Sequence, residues 1–297
     1  MFIFNVLKFI VLHPLNRDGR LSAVLKFIRY QIATRLFKSK FLIDWVDETK
    51  FLVFRGETGL TGNLYCGLME YEDMSFLLHY LKQDDTFYDI GANVGAYTIL
   101  ASGVIKAKTI SFEPLPSTFD RLIDQIKINR IDHLVEAKNN GVGNKIDNLE
   151  FTNNLNCMNK VNIDPNNSDV TKVDVITLDG CYVPTTNSFV KIDVEGYENF
   201  VLDGGTKFFS NKNVSALIIE LNGSGKLFGV EDYDIHKTIT SFGFQPISYD
   251  PFSRKVSSIE TYDKDGNTIY VKDIKDAQHR VGSSASVCIH TANNFKL

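Results

Sequence analysis

The chain has 297 residues, 43% of them hydrophobic and 23% charged, with a net charge of −4 and a pI near 5.9. That composition calls for a packed core and excludes a disordered chain, and the negative balance argues against a nucleic-acid binder that relies on bulk charge. The four cysteines, Cys66, Cys157, Cys181 and Cys288, contain no C-x-x-C pair, and none of the six histidines stands at ligand spacing from another His or Cys. Neither a zinc site nor a disulfide framework is expected, and a reducing, cytoplasmic compartment is.

Residues 1–12 are apolar apart from Asn5 and Lys8. The run is too short to span a bilayer and lacks the basic leader of a signal peptide. Residues 1–40 carry eight Lys/Arg and one Asp, a charge of +7, so the remainder sums to −11. Within them Leu21, Val24, Leu25, Ile28, Ile32 and Leu36 share one helical face, with Lys26 and Lys38 away from its centre, Arg29 near its edge and Arg35 inside it. Packing on the catalytic domain or on a second subunit is the commoner fate of such a face. Peripheral contact with an anionic membrane or a lipid-linked substrate is the alternative. A β-hairpin is predicted over Phe41–Gly56 with Asp47-Glu48 at its turn, and a helix over Asn63–Leu81. Gln83-Asp84-Asp85 is polar punctuation that closes an N-terminal extension, residues 1–83.

Thr86–Leu100 (TFYDIGANVGAYTIL) organises the rest. Phe87, Tyr88 and Ile90 are strand formers, Gly91 and Gly95 break the run, and Val94, Ile99 and Leu100 begin a helical pattern. A strand feeding a helix through a glycine turn is where doubly wound α/β proteins hold adenosine cofactors. A dinucleotide fingerprint needs a second glycine where Asn93 stands, and Asp89 at the strand end is unfavourable beside a pyrophosphate. No G-K-[ST] follows, so a triphosphate cradle is absent. An acidic turn suits a cofactor without phosphates that carries an ammonium and a sulfonium, and S-adenosylmethionine is that cofactor. Glu113 closes the next strand, Thr109–Glu113, at the place where an acid takes a ribose diol.

A helix is predicted from about Ser117, as N-cap, to Asn129, with Phe119, Leu122, Ile123 and Ile126 as its buried stripe. A third strand near Leu134–Ala137 ends at Asn139-Asn140-Gly141, where Asn140 is either a plain turn residue or a partner for the adenine amine. Eleven asparagines between Asn139 and Asn167 suggest a hairpin and a loose connection, followed by a short strand at Val173–Asp179. Phe189–Glu198 (FVKIDVEGYE) repeats the strand, glycine turn, helix pattern, so Asp193 faces the crevice that Asp89 faces. Asp193, Glu195 and Glu198 stand at D-x-E-x-x-E spacing. Asp193 is the candidate general base for an acceptor hydroxyl. Oxygen ligation of a divalent cation is a second, less favoured reading. Glu198 fits a helix N-terminus. Val214–Leu221 reads as a buried strand that Glu220 nearly closes, and Glu220 is a candidate to shape the acceptor pocket. A helix over Asp232–Phe242 stops at Gly243, two strands follow near Phe244–Tyr249 and Thr268–Val271, and residues 275–297 are a polar tail.

These stretches resemble the FkbM family of S-adenosylmethionine-dependent methyltransferases. Tyr88–Thr98, Ser111-Phe-Glu-Pro, Lys191–Glu198 and Ile218-Ile-Glu carry the resemblance, over roughly Asp84 to Lys272. It implies an α/β fold with a Rossmann-like seven-strand sheet whose last strand is antiparallel, in a catalytic domain of residues 84–274. It also implies O-methyl transfer, often to sugars of polysaccharides or to natural-product hydroxyls. Cofactor roles fall on Asp89, Gly91, Asn93, Gly95 and Glu113, and a crevice role on Asp193. The rival expectation is a binding or assembly module that keeps the fold without the chemistry.

Overall fold

The computed structural model describes residues 2–37, 40–53, 58–152, 160–164, 166–264, 266–291 and 294–297. Lys38, Gly56 and Cys157 lie outside them, as does much of the asparagine-rich segment, at 153–159.

The helices α1 (Phe2–Leu12) and α2 (Arg20–Leu36) pack on each other across a short 3-10 turn, Pro14–Asn16. The ribbon β1 (Phe41–Asp44) and β2 (Lys50–Val53) pairs antiparallel as expected and turns at Asp47, whose φ is 48°. The predicted helix over Asn63–Leu81 is two, α3 (Thr58–Cys66) and α4 (Tyr71–Tyr80). Gly67 breaks it with φ at +86°, and a Cβ there would lie 2.5 Å from Ile289 Cγ2. Left-handed backbone is a helix-stopping conformation that glycine adopts at little cost, so the chain turns here and presents Met69 and Glu70 to the sheet edge.

The doubly wound unit begins with β3 (Thr86–Ile90) and α5 (Ala96–Thr98), which runs on as a π-helical turn through Ile99–Val104. It continues through β4 (Lys108–Phe112), α6 (Pro116–Ile128) and β5 (Val135–Lys138). Pro116 takes the first position of α6 and Leu115 its cap, so Ser117 lies inside the helix instead of capping it; proline suits that position because its missing N–H needs no partner there. A separate three-stranded sheet, ordered β6-β8-β7, is made by β6 (Gly141–Val142), β7 (Asp147–Thr152) and β8 (Val170–Ile176). The second half holds α7 (Leu178–Cys181), β9 (Ser188–Ile192), α8 (Glu198–Asp203), α9 (Thr206–Ser210), β10 (Val214–Leu221) and α10 (Asp232–Ser241). The chain ends with β11 (Gln245–Asp250), β12 (Lys255–Ser258), β13 (Gly266–Val271), α11 (Ile274–Gly282) and the ribbon β14 (Cys288–Ile289) and β15 (Phe295–Lys296).

The main sheet has eight strands in the order β12-β11-β13-β10-β9-β3-β4-β5. The five from β10 to β5 are parallel, and β13 runs antiparallel between β10 and β11. Seven strands therefore match the arrangement the resemblance implies. The eighth, β12, arises because the turn-rich stretch after β11 folds back as a hairpin. Every residue of β9 is buried, as a central strand covered on both faces must be. Phe87 and Phe189 face one core, and Tyr88, Val190 and Ile192 face the other. Strand order reverses at β3, between β4 and β9, and the crevice opens at their carboxyl ends.

Of the two packings expected for the apolar face of α2, the one on the catalytic domain is not found: Leu21, Leu25, Ile28, Ile32 and Leu36 are 43–73% exposed. The inward face is Ala23, Phe27, Tyr30 and Thr34, which meets Leu64 and Tyr65 of α3.

Candidate functional site

Three β-strand ends, those of β3, β4 and β9, are laced together at the head of the crevice. The N–H groups of Gly91 and Ala92 donate to Phe112 O at 3.0 and 2.9 Å, and Asp193 N donates to Ile90 O at 3.0 Å. Gly91 has φ at +81°, and a Cβ on it would lie 1.9 Å from Asp193 O. No side chain fits, so the glycine is needed both for its backbone and for the close approach of β9. Gly91→Ala is expected to lower cofactor affinity at least tenfold and to destabilise the chain by about 1–3 kcal/mol, the ordinary range for strain at such backbone; titration calorimetry and urea unfolding read the two effects. Asn93 also sits at positive φ, +51°. Gly95, φ +89°, caps α5 and brings the turn against Leu122, whose Cδ1 would be 2.5 Å from a Cβ, but it does not itself line the crevice.

The crevice has two lobes that share Gly91, Asn93, Asp193 and Glu195. The first is walled by Phe112, Leu115, Val142, Phe151 and Tyr197 with Glu113 and Asn140 among them. The second is lined by Asn63, Met69, Glu70, Met74, Asp89, Tyr97, Lys191 and Glu220. The first has more aromatic and aliphatic walls, whereas the second adds Asp89, Glu70 and Glu220 to the shared carboxylates.

In the first lobe Glu113 is 6% exposed and holds the glycine turn in shape. Its Oε2 accepts from Asn93 N and its Oε1 from Leu115 N, both at 3.0 Å. Burial nevertheless pushes its carboxyl up to about 7. Asn139 ties this loop to the end of β5 through Nδ2, which donates to Glu113 O and Pro114 O at 2.9 Å. Asn140 lines the lobe and donates from Nδ2 to Asp174 O at 3.2 Å, so the side chain is steered from the small sheet.

The second lobe is built around a lysine. Lys191 and Asp89 are register partners on β9 and β3. The Lys191 ammonium is almost wholly buried, lies 2.8 Å from Asp193 Oδ2 and sits 4.8 Å from the centre of the Tyr97 ring. Burial alone would lower its pKa, but Asp193, Glu70 and Asp89 together raise it above the ordinary lysine value, so it stays charged. Tyr97 donates its hydroxyl to Glu70 Oε2. Asp89, 1% exposed, accepts from Thr98 Oγ1 at 2.6 Å, and burial pushes it up to about 6. Burial, with Asp193 and Glu195 nearby, pushes Glu220 up to about 8. Glu195, at φ +53°, is raised for the same two reasons, burial and Asp193. Glu198 points away from the crevice: its Oε1 accepts from Val194 N and Gly196 N at 3.2 and 3.1 Å, a capping role for the turn before α8.

Asp89, Asp193, Glu195 and Glu220 thus meet in one lobe, Glu113 and Asn140 in the other, and Asp193 stands where the two join. Lys191, Tyr97 and Glu70 complete the second lobe without having been singled out from the sequence. A signal existed for Lys191: it lies two residues before Asp193, hence on the same face of the strand, and a lysine in a wholly apolar central strand needs a buried counter-charge. Among the described residues no set of three or more His, Cys, Asp or Glu side chains is arranged to hold a metal ion.

Residues 89–246 match the family described as "Methyltransferase FkbM domain", which takes in the first motif stretch from Asp89 on and all of Phe189–Glu198. The chain is similar to the hexuronic acid methyltransferase AglP of Haloferax volcanii, 29% identical over 174 residues that cover 58% of this chain and 68% of that protein. Among solved structures it is similar to a precorrin-6y C5,15-methyltransferase from Geobacter metallireducens, at 13% identity and a TM-score of 0.38 over 68% of this chain and 87% of that one. Another is SMU.1697c, a methyltransferase-like protein of Streptococcus mutans solved with S-adenosylhomocysteine, also at 13% and 0.38, covering 67% and 94%. More than half the chain, including the carboxyl end of each strand that borders the crevice, matches one family: the protein belongs to the FkbM methyltransferases.

Proposed function

We propose that this chain transfers a methyl group from S-adenosylmethionine to a hydroxyl of a sugar, within a catalytic unit of residues 84–274. One observation carries the reading: Asp193 stands at the junction of the two lobes, held at 2.8 Å by the buried Lys191 ammonium. The residues present fit the cofactor. The walls around Phe112, Leu115 and Val142 suit a flat base, Asn140 stands at that end for the adenine amine, and Glu113 is the acid beside the ribose. The close glycine backbone at Gly91 leaves room past the turn, and the carboxylates of Asp89 and its neighbours suit a cation rather than a phosphate. When bound, S-adenosylmethionine supplies an electrophilic methyl group.

The protein's own task is alignment and proton transfer. Asp193 accepts the proton of the acceptor hydroxyl, and Lys191 keeps its carboxylate aimed. Glu220 and Glu195 shape the acceptor side of the rim between the lobes. The sugar class rests on the similarity to AglP, and the hydroxyl on the placement of Asp193. A cytoplasmic site of action is supported by the free thiols of Cys66, Cys181 and Cys288.

Methyl-labelled donor and a panel of sugars and glycan fragments test this by product mass spectrometry. A product one methylene heavier whose label survives mild alkali is expected, because an ether is stable where an ester is cleaved. Alkali-labile label would move the chemistry to a carboxyl, and absence of any labelled glycan would overturn the reading.

The acids also set a pH dependence. A cation binds the ionised form of a carboxyl, so donor affinity is expected to rise as pH passes through the values near 6, 7 and 8 of Asp89, Glu113 and Glu220. The stability of the ligand-free chain runs the other way. These groups hold protons in the folded state that the unfolded chain releases near its ordinary carboxyl values, so their contribution is fully present below those values, falls as pH rises above them, and is lost once pH has passed through 6 to 8. Calorimetry and thermal unfolding across that window read both slopes, and a flat donor affinity would remove these carboxyls from cation binding.

A further inference from the structure

Eleven of the seventeen large hydrophobic side chains exposed among the described residues fall between Ile3 and Leu42. The rest are scattered over the catalytic body, from Ile146 to Phe252. The concentration is not a by-product of a loosely packed helix. On α2 the inward positions Ala23 and Thr34 are buried, and Phe27, Tyr30 and Gln31 are anchored on Tyr65, by ring contacts at 5.0 and 5.9 Å and by a 3.0 Å hydrogen bond. Asn16 fastens the turn before α2 by donating to Ile10 O and Tyr65 O. The helix therefore has a fixed inner face, and the stripe Leu21, Leu25, Ile28, Ile32 and Leu36 is held outward.

Charge says what covers it. At 100° per residue, Arg29 and Arg35 fall on opposite flanks of that stripe, within about 60° of its centre. Both are exposed. The first forty residues carry +7 while the rest of the chain carries −11. An apolar stripe bordered by arginines fits a surface that offers hydrocarbon at depth and negative charge at its rim. A second copy docking through the same face would set each arginine against its equivalents. α1 adds outward Ile3, Phe4 and Leu12, and neither helix is long and apolar enough to cross a membrane.

We propose that the α1–α2 hairpin docks the enzyme on an anionic lipid bilayer, with the Leu25–Ile32 stripe in the interface and Arg29 and Arg35 at the headgroups. The inference stands apart from the methyl-transfer reading, since it uses no residue of the crevice.

Co-sedimentation of the full chain with phosphatidylglycerol-containing vesicles, and with pure phosphatidylcholine vesicles, tests it. Binding to the anionic vesicles is expected, weakening as salt rises, with far less on the zwitterionic ones. Ile28→Asp/Ile32→Asp is expected to lower that binding about tenfold or more, and Arg29→Glu/Arg35→Glu to remove its anionic preference. All four sites are solvent-facing, so unchanged thermal unfolding serves as the check that the variants are folded. No binding to anionic vesicles, or binding indifferent to both pairs, overturns the proposal. Concentration-dependent self-association that the Ile28→Asp/Ile32→Asp pair abolishes, without vesicle binding, would assign the face to a second copy and equally overturn it.

Discussion

Asp193→Asn is expected to bind S-adenosylmethionine about as tightly as the parent chain and to lose a factor of about 10² to 10⁴ in turnover, the range that a positioned general base supplies. Asparagine is nearly isosteric and can keep an oxygen toward Lys191, so the 2.8 Å contact and the junction of the lobes survive in shape. What it loses is the ability to take a proton. The loss should therefore appear in kcat with little change in the donor's Kd. A variant with parental turnover on the right acceptor would take Asp193 out of the proton-transfer step, and one that no longer bound the donor would make its role structural.

Lys191→Met is expected to be the most damaging single change in the crevice. The methionine fills similar space but removes the cation that faces Asp193, Glu70 and Asp89 in a site that water scarcely reaches. Breaking a buried ion pair by deleting one partner costs about 3–5 kcal/mol, and the 30% exposure of the Asp193 side chain moves the expectation to the lower end of that range. The remaining carboxyls would then take up protons, so much of the stability should return at low pH, where they are neutral. Urea unfolding at pH 5 and pH 8 measures this. A variant as stable as the parent at pH 8 would show that the lysine is not the counter-ion the lobe depends on.

Much of this site was legible in the sequence because its chemistry sits at strand ends. Asp89, Glu113, Asp193 and Glu220 each stand at or beside the close of an apolar run, and a parallel sheet brings such positions to one edge whatever the loops do. The glycine turn was readable for a related reason: only small or left-handed-tolerant residues fit where β3 and β9 approach, and the 1.9 Å separation at Gly91 shows how little room there is. Glu70 and Tyr97 were not legible as site residues. Glu70 reaches the crevice because Gly67 interrupts a helix that periodicity alone runs straight through, and a side chain at that glycine would collide with Ile289, more than two hundred residues away. Glu113 shows a limit of a different kind. Its position was evident, but not that both its oxygens are engaged by backbone amides.

The N-terminal helix shows why hydrophobic periodicity fixes a face but not its direction. The stripe from Leu21 to Leu36 was readable, yet a second set, Ala23, Phe27, Tyr30 and Thr34, less apolar on any scale, makes the inward contacts because it matches the aromatic surface of Tyr65 and α3. Small and aromatic side chains decide that packing by shape, and an amphipathic pattern does not record shape.

The central claim is that a crevice lined with carboxyls at the head of β3 and β9 accepts a sulfonium donor and refuses a diphosphate. Titration calorimetry of the full chain with S-adenosylmethionine and, separately, with NAD measures that preference directly. Saturable binding of the first and none of the second at the same concentrations is the expected result, whereas binding of NAD, or of neither ligand, would contradict it.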